Sequence, residues 1–175
     1  MKAGPSSPAD TRTMGIVHSA LQRDLTRASD ALKGPPVPGD AQRAAIAQHV
    51  QAMMEFLHVH HRGEDAWLWP TMRRLNPSAS ALLDQMEDDH LAIAPHMEKV
   101  TSAAADYEKS AAGREALASA LSELRGSLDP HLRRDEDDMM LIVATTLTTR
   151  QWDDWEQEYY LSPRVSRSLA WRGIG

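Results

Sequence analysis

The chain has 175 residues, of which 42% are hydrophobic and 25% charged, so we expect one globular domain able to bury its own core. It contains no cysteine, which excludes disulfides, iron–sulfur clusters and thiol catalysis and means that His and carboxylate side chains must hold any metal. The formal net charge of −6 makes nucleic acid and anionic membrane surfaces unexpected partners. No signal-peptide core and no apolar run of about 18 residues is visible, so we expect a cytoplasmic protein that does not span a membrane.

The N-terminal half predicts two long helices. Residues 1–9 are rich in Pro, Gly and Ser and are expected to be disordered. A first helix follows from about residue 10 and must end before the Gly- and Pro-rich segment 34–39. The second helix covers about 40–75, and a kink is expected near Pro70 because proline has no backbone N–H to donate.

The C-terminal half predicts two more long helices and a short one. The third helix covers about 78–110 and contains Pro95, where we expect another kink. Gly113 separates it from a fourth helix over about 114–147. A shorter helix is expected over 149–160, followed by a basic tail.

These elements predict an all-α fold. Residues 10–147 are expected to form an antiparallel up-down four-helix bundle, and residues 148–175 a short extra C-terminal helix and tail. No alternation of apolar and polar residues indicates a β-strand, and no internal repeat is visible. The sequence does not indicate an oligomeric state.

One apolar stripe follows each long helix, in steps of three and four residues. The four stripes are Met14, His18, Leu21, Leu25, Ala28 and Leu32; Ile46, Val50, Met53, Leu57, His60, Glu64 and Trp67; Leu83, Met86, His90, Ile93, Met97 and Val100; and Leu117, Leu121, Leu124, Leu128, His131, Asp135, Met139 and Ile142. A histidine interrupts every stripe, and in two stripes a carboxylate follows four residues later. An isolated buried carboxylate is costly, so these interruptions need a common cation or shifted pKa values.

The interrupting residues predict a metal site in the core. Counted from the predicted loops, the four histidines lie within about one helical turn of the same level. The pairs His60–Glu64 and His131–Asp135 are each four residues apart, which places both side chains of a pair on one helix face, where they can hold one ion. Mixed imidazole and carboxylate ligation suits iron, manganese or zinc, and two bridging carboxylates suit a dinuclear centre.

The other histidines and one further acid are assigned less directly. His61 borders the same cavity and is a candidate ligand. Glu136 competes with Asp135, and the helical angle favours Asp135. His58 is a weaker candidate, as a ligand or beside the site. Two histidines lie off the stripes and are expected to be solvated or next to the centre: His49 and His96.

Four motifs resemble those of the hemerythrin-like, or HHE cation-binding, family. They are His60-His61-Arg62-Gly63-Glu64-Asp65 with the following Leu68-Trp69-Pro70, His131-Leu132-Arg133-Arg134-Asp135-Glu136, His18 in the first helix, and His90 after Glu87-Asp88-Asp89. The resemblance covers about residues 12–145 and depends on the combination of motifs. It implies a four-helix bundle around an oxo- or hydroxo-bridged di-iron centre. Such a centre would bind or sense dioxygen, another diatomic molecule or a peroxide, or handle iron in redox chemistry.

The same resemblance implies roles for single residues. Glu64 and Asp135, or Glu136, would bridge the two metals. The terminal ligands would be His18, His60, His90 and His131. The sequence departs from the oxygen carriers of this family at Ala94, where they have a second histidine one turn after the third-helix ligand. His61 could fill this gap; otherwise one metal position is open to water or substrate, which favours sensing or redox chemistry over simple oxygen carriage.

Other interpretations remain open from the sequence. A ferritin-like di-iron oxidase needs a Glu from each of four helices, and it is set aside because the first Glu in this chain is Glu55, beyond the first helix. A mononuclear iron or zinc site would use fewer of the candidate ligands. A metal-free helical interaction module would use them as a buried polar network or a pH switch. No nucleophile arrangement, nucleotide-binding loop or basic patch indicates another activity.

Overall fold

The computed structural model describes residues 4–159, and most of these residues are helical. In chain order the helices are α1 (Arg12–Lys33), α2 (Asp40–Gly63), α3 (Trp69–Leu75), α4 (Ser80–Lys109), α5 (Arg114–Arg134), α6 (Met140–Thr146) and α7 (Thr149–Tyr159). One π-helical turn, Glu64–Leu68, joins α2 to α3, and a second, Asp135–Met139, joins α5 to α6. The expected all-α fold is confirmed, since no strand occurs within residues 4–159.

Local sequence explains where the long helices begin and end. Helix α1 stops at Lys33 because the Gly- and Pro-rich segment that follows cannot continue it. Asp40 is the first residue of α2, where its carboxylate suits the positive end of the helix dipole. Pro95 lies inside α4, and the kink expected there stays a prediction.

The four long helices contact one another in a ring, in which α1 meets α2, α2 meets α4, α4 meets α5, and α5 meets α1. Their buried apolar side chains form two clusters. The first includes Leu25, Leu57 and Leu124, and the second includes Leu68 and Met86. Along each long helix or its continuation, the buried histidines and carboxylates lie at the boundary between the residues of the first cluster and those of the second. A polar layer therefore separates two apolar parts of the core.

The ends of the described chain pack against each other. The backbone N–H of Ala9 donates to the carbonyl of Leu147 (3.1 Å), and the N–H of Thr149 donates to the carbonyl of Ser7 (2.7 Å). Pro5, Ser7 and Ala9, which lie in the segment expected to be disordered, therefore have backbone partners in residues 147–150. The expectation of disorder for residues 1–9 stays a prediction. Residues 1–3 and the predicted tail after Tyr159 lie outside the described residues.

No helix between residues 4 and 159 has the length and sustained apolar character that a bilayer-spanning segment requires.

Candidate metal centre

Seven ionisable side chains meet in the polar layer, and each is at most 6% exposed. They are His18 from α1, His60 and His61 from α2, Glu64 and Asp135 from the first positions of the two π turns, His90 from α4 and His131 from α5. The structure thus brings together all the inward-facing candidates that the sequence identifies. Burying so many groups of this kind is costly unless they are partnered.

Glu64 divides this layer into two groups of ligand atoms. Its Oε1 lies 3.4 Å from Nε2 of His60, and its Oε2 lies 3.3 Å from Nε2 of His90. On the His60 side, Nε2 of His18 lies 3.2 Å from Nε2 of His60 and 3.8 Å from Oδ2 of Asp135. This first group offers two imidazoles and one oxygen from each of two carboxylates.

The second group contains three imidazoles. His61, His90 and His131 each offer a ring nitrogen, and these atoms lie within 4.8 Å of one another. The rings of His61 and His90 are stacked with centroids 4.1 Å apart, and the ring of His131 stands edge-on to that of His90 at 4.8 Å. His61 therefore lies directly beside His90 in this group.

Several buried ligand atoms have no hydrogen-bond partner. They are both carboxylate oxygens of Glu64, both of Asp135, and Nε2 of His61 and of His90. Each buried polar atom of this kind costs about 1–3 kcal/mol if nothing satisfies it. Cations placed between the two carboxylates and the histidines would satisfy them together, and a set of nitrogen and oxygen donors suits iron, manganese or zinc. The residues present therefore fit a metal centre.

Burial controls the pKa values of the layer. It lowers the pKa of His18 to about 4, and burial together with the neighbouring histidines lowers the pKa of His60 and His61 well below the usual value. Burial and the nearby Glu64 raise the pKa of Asp135 well above its usual value. Most of these imidazoles are therefore neutral, which is the form that ligates a metal.

His90 is the exception among the histidines. Burial alone would lower its pKa, but the hydrogen bond from its Nδ1 to Asp65 and the nearby charges of Glu64 and Asp65 raise it to about 10. A cation bound at Nε2 would take the place of the proton there.

Three carboxylates approach the histidines from outside the layer. Oδ1 of Asp65 lies 2.7 Å from Nδ1 of His90, and Oε1 of Glu136 lies 2.9 Å from Nδ1 of His18. Oδ2 of Asp89 lies 3.4 Å from Nδ1 of His131 and also pairs with Arg134. Asp65 and Asp89 were named from the sequence only as parts of the motifs, without a role of their own. The available signal was the acid that follows each inward carboxylate, Asp65 after Glu64 as Glu136 follows Asp135.

The two π turns place the inward carboxylates. In each, a backbone N–H reaches back five residues, from Trp69 to Glu64 and from Met140 to Asp135. A π turn adds one residue to a helix and is frequent at functional sites. It also corrects two predicted stripes, which assumed a regular α-helix. The buried residues after the carboxylates include Leu68 and Val143, whereas the stripes named Trp67 and Ile142, which are only half-buried.

Some candidates lie outside the layer. Glu136 is half-exposed and faces the outer nitrogen of His18, so Asp135 is the acid that points inward. His58, the weaker candidate, is exposed. His49 and His96 are half-buried on other helix faces, and His49 lies 3.6 Å from Asp24.

A groove between α2 and α4 leads from the surface to this layer. Its volume is about 790 Å³, and its lining includes His61 and His90 together with Ala94 and the largely exposed Leu91. The small side chain of Ala94 leaves the edge of the second histidine group facing this groove. The layer is therefore accessible from one side of the protein.

Residues 4–159 are largely helical, and five histidines and two carboxylates are buried together in one layer, which defines a candidate cation-binding protein. The family model of the hemerythrin HHE cation binding domain matches residues 11–142, and the chain belongs to this family. The resemblance identified from the sequence motifs is confirmed. Comparison with curated proteins and with solved structures found no match.

Proposed function

We propose that this protein holds two iron ions in its polar layer, bridged by Glu64 and Asp135. One metal would take His18 and His60, and the other His61, His90 and His131. The observation that carries the proposal is the position of Glu64, whose two oxygens face His60 on one side and His90 on the other, at 3.4 and 3.3 Å. A carboxylate between two groups of imidazoles is suited to bridging two cations.

The proposed scaffold is an antiparallel up-down bundle of α1, α2, α4 and α5. The ring of contacts among these four helices supports it. The single polar layer supports it as well, because helices of alternating direction bring to one level those residues that lie equally far from their shared loops.

The function we propose is binding or sensing of dioxygen, another diatomic molecule or a peroxide, with redox chemistry at the metal. A bound iron pair would supply electrons and a coordination position for such a ligand. The protein would supply the ligand geometry, an apolar surround and access through the groove at Ala94. A small molecule would approach the second metal through this groove, because His61, His90 and Ala94 all line it.

Metal analysis is the direct test. Protein expressed with iron and purified anaerobically is expected to carry about two irons per chain. On oxidation it should show the near-ultraviolet absorption of a bridged ferric pair. Metal content near zero would overturn the proposal and favour a metal-free module.

A mononuclear zinc site is the second candidate, and the three-histidine group favours it. Three protein ligands and one open position are typical of catalytic zinc, and His61, His90 and His131 offer three nitrogens close together. This alternative gives no role to His18 or Asp135, although both are fully buried. The variant His18→Ala distinguishes the two, since it should lower iron content if two irons are present and leave a single zinc unchanged.

A further inference from the structure

We propose that Asp65, Asp89 and Glu136 are positioning residues, each of which accepts the Nδ1–H of one inward histidine and so turns that histidine's Nε2 toward the metals. The inference rests on the proposed metal centre and assigns a role to residues outside the ligand set.

The geometry is clearest for His90 and His18. Nδ1 of His90 lies 2.7 Å from Asp65, while its Nε2 lies 3.3 Å from Glu64 inside the layer. Nδ1 of His18 lies 2.9 Å from Glu136, while its Nε2 lies 3.8 Å from Asp135. In both rings, one nitrogen faces an outer carboxylate and the other faces an inner one.

Two acidic pairs in the sequence produce this arrangement. Consecutive helical residues point about 100° apart. At the start of each π turn the first acid, Glu64 or Asp135, is buried and points inward. The second points sideways to a neighbouring helix, so that Asp65 reaches α4 and Glu136 reaches α1.

His131 also has a carboxylate on its Nδ1, but this carboxylate is not part of a π turn. Asp89 immediately precedes His90 on α4, and its Oδ2 lies 3.4 Å from Nδ1 of His131 on α5. Arg134, one turn after His131, pairs with Asp89 and fixes the carboxylate in place. Three of the five inward histidines thus have an acid on Nδ1.

A histidine that donates its Nδ1–H to a carboxylate keeps Nε2 as the metal-binding nitrogen, in a fixed tautomer and with greater basicity. The side chains of Asp65, Glu136 and Asp89 are 44%, 38% and 23% exposed. Water can replace these carboxylates, so their removal should weaken metal binding without leaving a buried gap in the fold.

The test compares Asp65→Ala, Glu136→Ala and Asp89→Ala with two exposed neighbours as matched controls, Asp88→Ala and Asp137→Ala. Iron(II) affinity, measured by competition with a chelator, should fall about 10–100-fold in the first three and stay unchanged in the controls. Asp65→Asn and Glu136→Gln should recover part of the loss, because an amide oxygen still accepts the Nδ1–H. The melting temperatures of the metal-free variants should stay within about 2 °C of wild type.

Nitrogen-15 NMR of the histidine rings reports the tautomer directly. In zinc-loaded wild type, His18 and His90 should carry their proton on Nδ1, and Glu136→Ala should alter the His18 signals alone. Wild-type affinity in all three alanine variants of a protein that holds two irons would overturn the inference and leave the proposed function standing. If wild type takes up no metal, the proposed function falls. The inference is then tested on the tautomer of His18 in metal-free protein, measured by the same NMR experiment. If Glu136→Ala carries the His18 proton on Nδ1 to the same extent as wild type, the inference is wrong.

Discussion

Replacing Glu64 with Gln tests the bridging position with almost no change in volume. Glu64 is completely buried, and its two oxygens face His60 and His90. The amide keeps one carbonyl oxygen but presents an NH2 group on the other side, which cannot bind a cation. It also removes the negative charge that offsets two metal ions. We expect Glu64→Gln to lose at least one iron.

The size of the effect on stability follows from mass action. A ligand that binds only the folded state at 100 times its Kd stabilises that state by about 2.7 kcal/mol, so two such metals contribute about 5 kcal/mol. For a domain of this size that corresponds to a rise in Tm of about 10–20 °C on loading. Glu64→Gln should lose at least half of this rise. The metal-free variant gives the part of the change that does not depend on metal, which includes loss of the Glu64 charge beside His90.

Differential scanning calorimetry of iron-loaded and chelator-treated protein measures the rise in Tm on loading and the stability of the metal-free form. Metal analysis of the loaded protein gives the number of irons. Glu98→Gln is the matched control, since Glu98 is exposed at the edge of the groove. If Glu64→Gln still takes up two irons and shows the full rise in Tm, Glu64 does not bridge and the division of the layer into two metal positions is wrong.

Three further predictions concern other parts of the molecule. His49→Ala should leave metal content unchanged, because His49 lies off the polar layer; loss of metal would contradict the assignment of the inward faces. Gly63→Ala should destabilise the fold by about 1–3 kcal/mol in thermal unfolding through overpacking, since a Cβ at this position would lie 2.7 Å from the Tyr159 ring. The double variant with Tyr159→Ala should recover part of that loss, and a single variant as stable as wild type would refute the close contact. The third prediction is acid sensitivity of the metal-free protein. His18 has a pKa of about 4 in the fold against 6.5 in the unfolded chain. The unfolded chain therefore takes up a proton at this residue first, so the contribution of His18 to the free energy of unfolding is present above pH 6.5 and is lost as the pH falls to 4. In urea unfolding, wild type should lose about 3 kcal/mol more than His18→Gln over this range; equal losses would contradict it.

The periodicity of the sequence predicts the inward faces correctly as far as the two carboxylates. Each of the four stripes is buried up to that point, including His60 and His131. Beyond Glu64 in the second stripe and beyond Met139 in the fourth, the register is off by one residue, because a fixed period of three and four cannot represent a π turn. The residues Glu64–Leu68 contain no local signal that separates a π turn from an α-helical one.

The histidine group and the outer acids required the three-dimensional arrangement. His61 was identified as bordering the site and as a candidate ligand, but its position depends on how closely α2 approaches His90 on α4. Asp65 and Asp89 read as ordinary surface acids along their helices, and they become significant only because a histidine of another helix lies beside each one. Periodicity describes the faces of one helix at a time, so it cannot predict contacts between side chains of different helices.

Each π turn holds one residue more than a continuous α-helix needs between the same two faces. Deleting Ala66, an exposed residue, would let α2 and α3 join as one regular α-helix, with Leu68 and Met72 three and seven residues after Glu64 and still on the inward face. The apolar core on both sides should therefore tolerate this deletion better than a deletion within α2, and its main effect should fall on the turn that begins at Glu64.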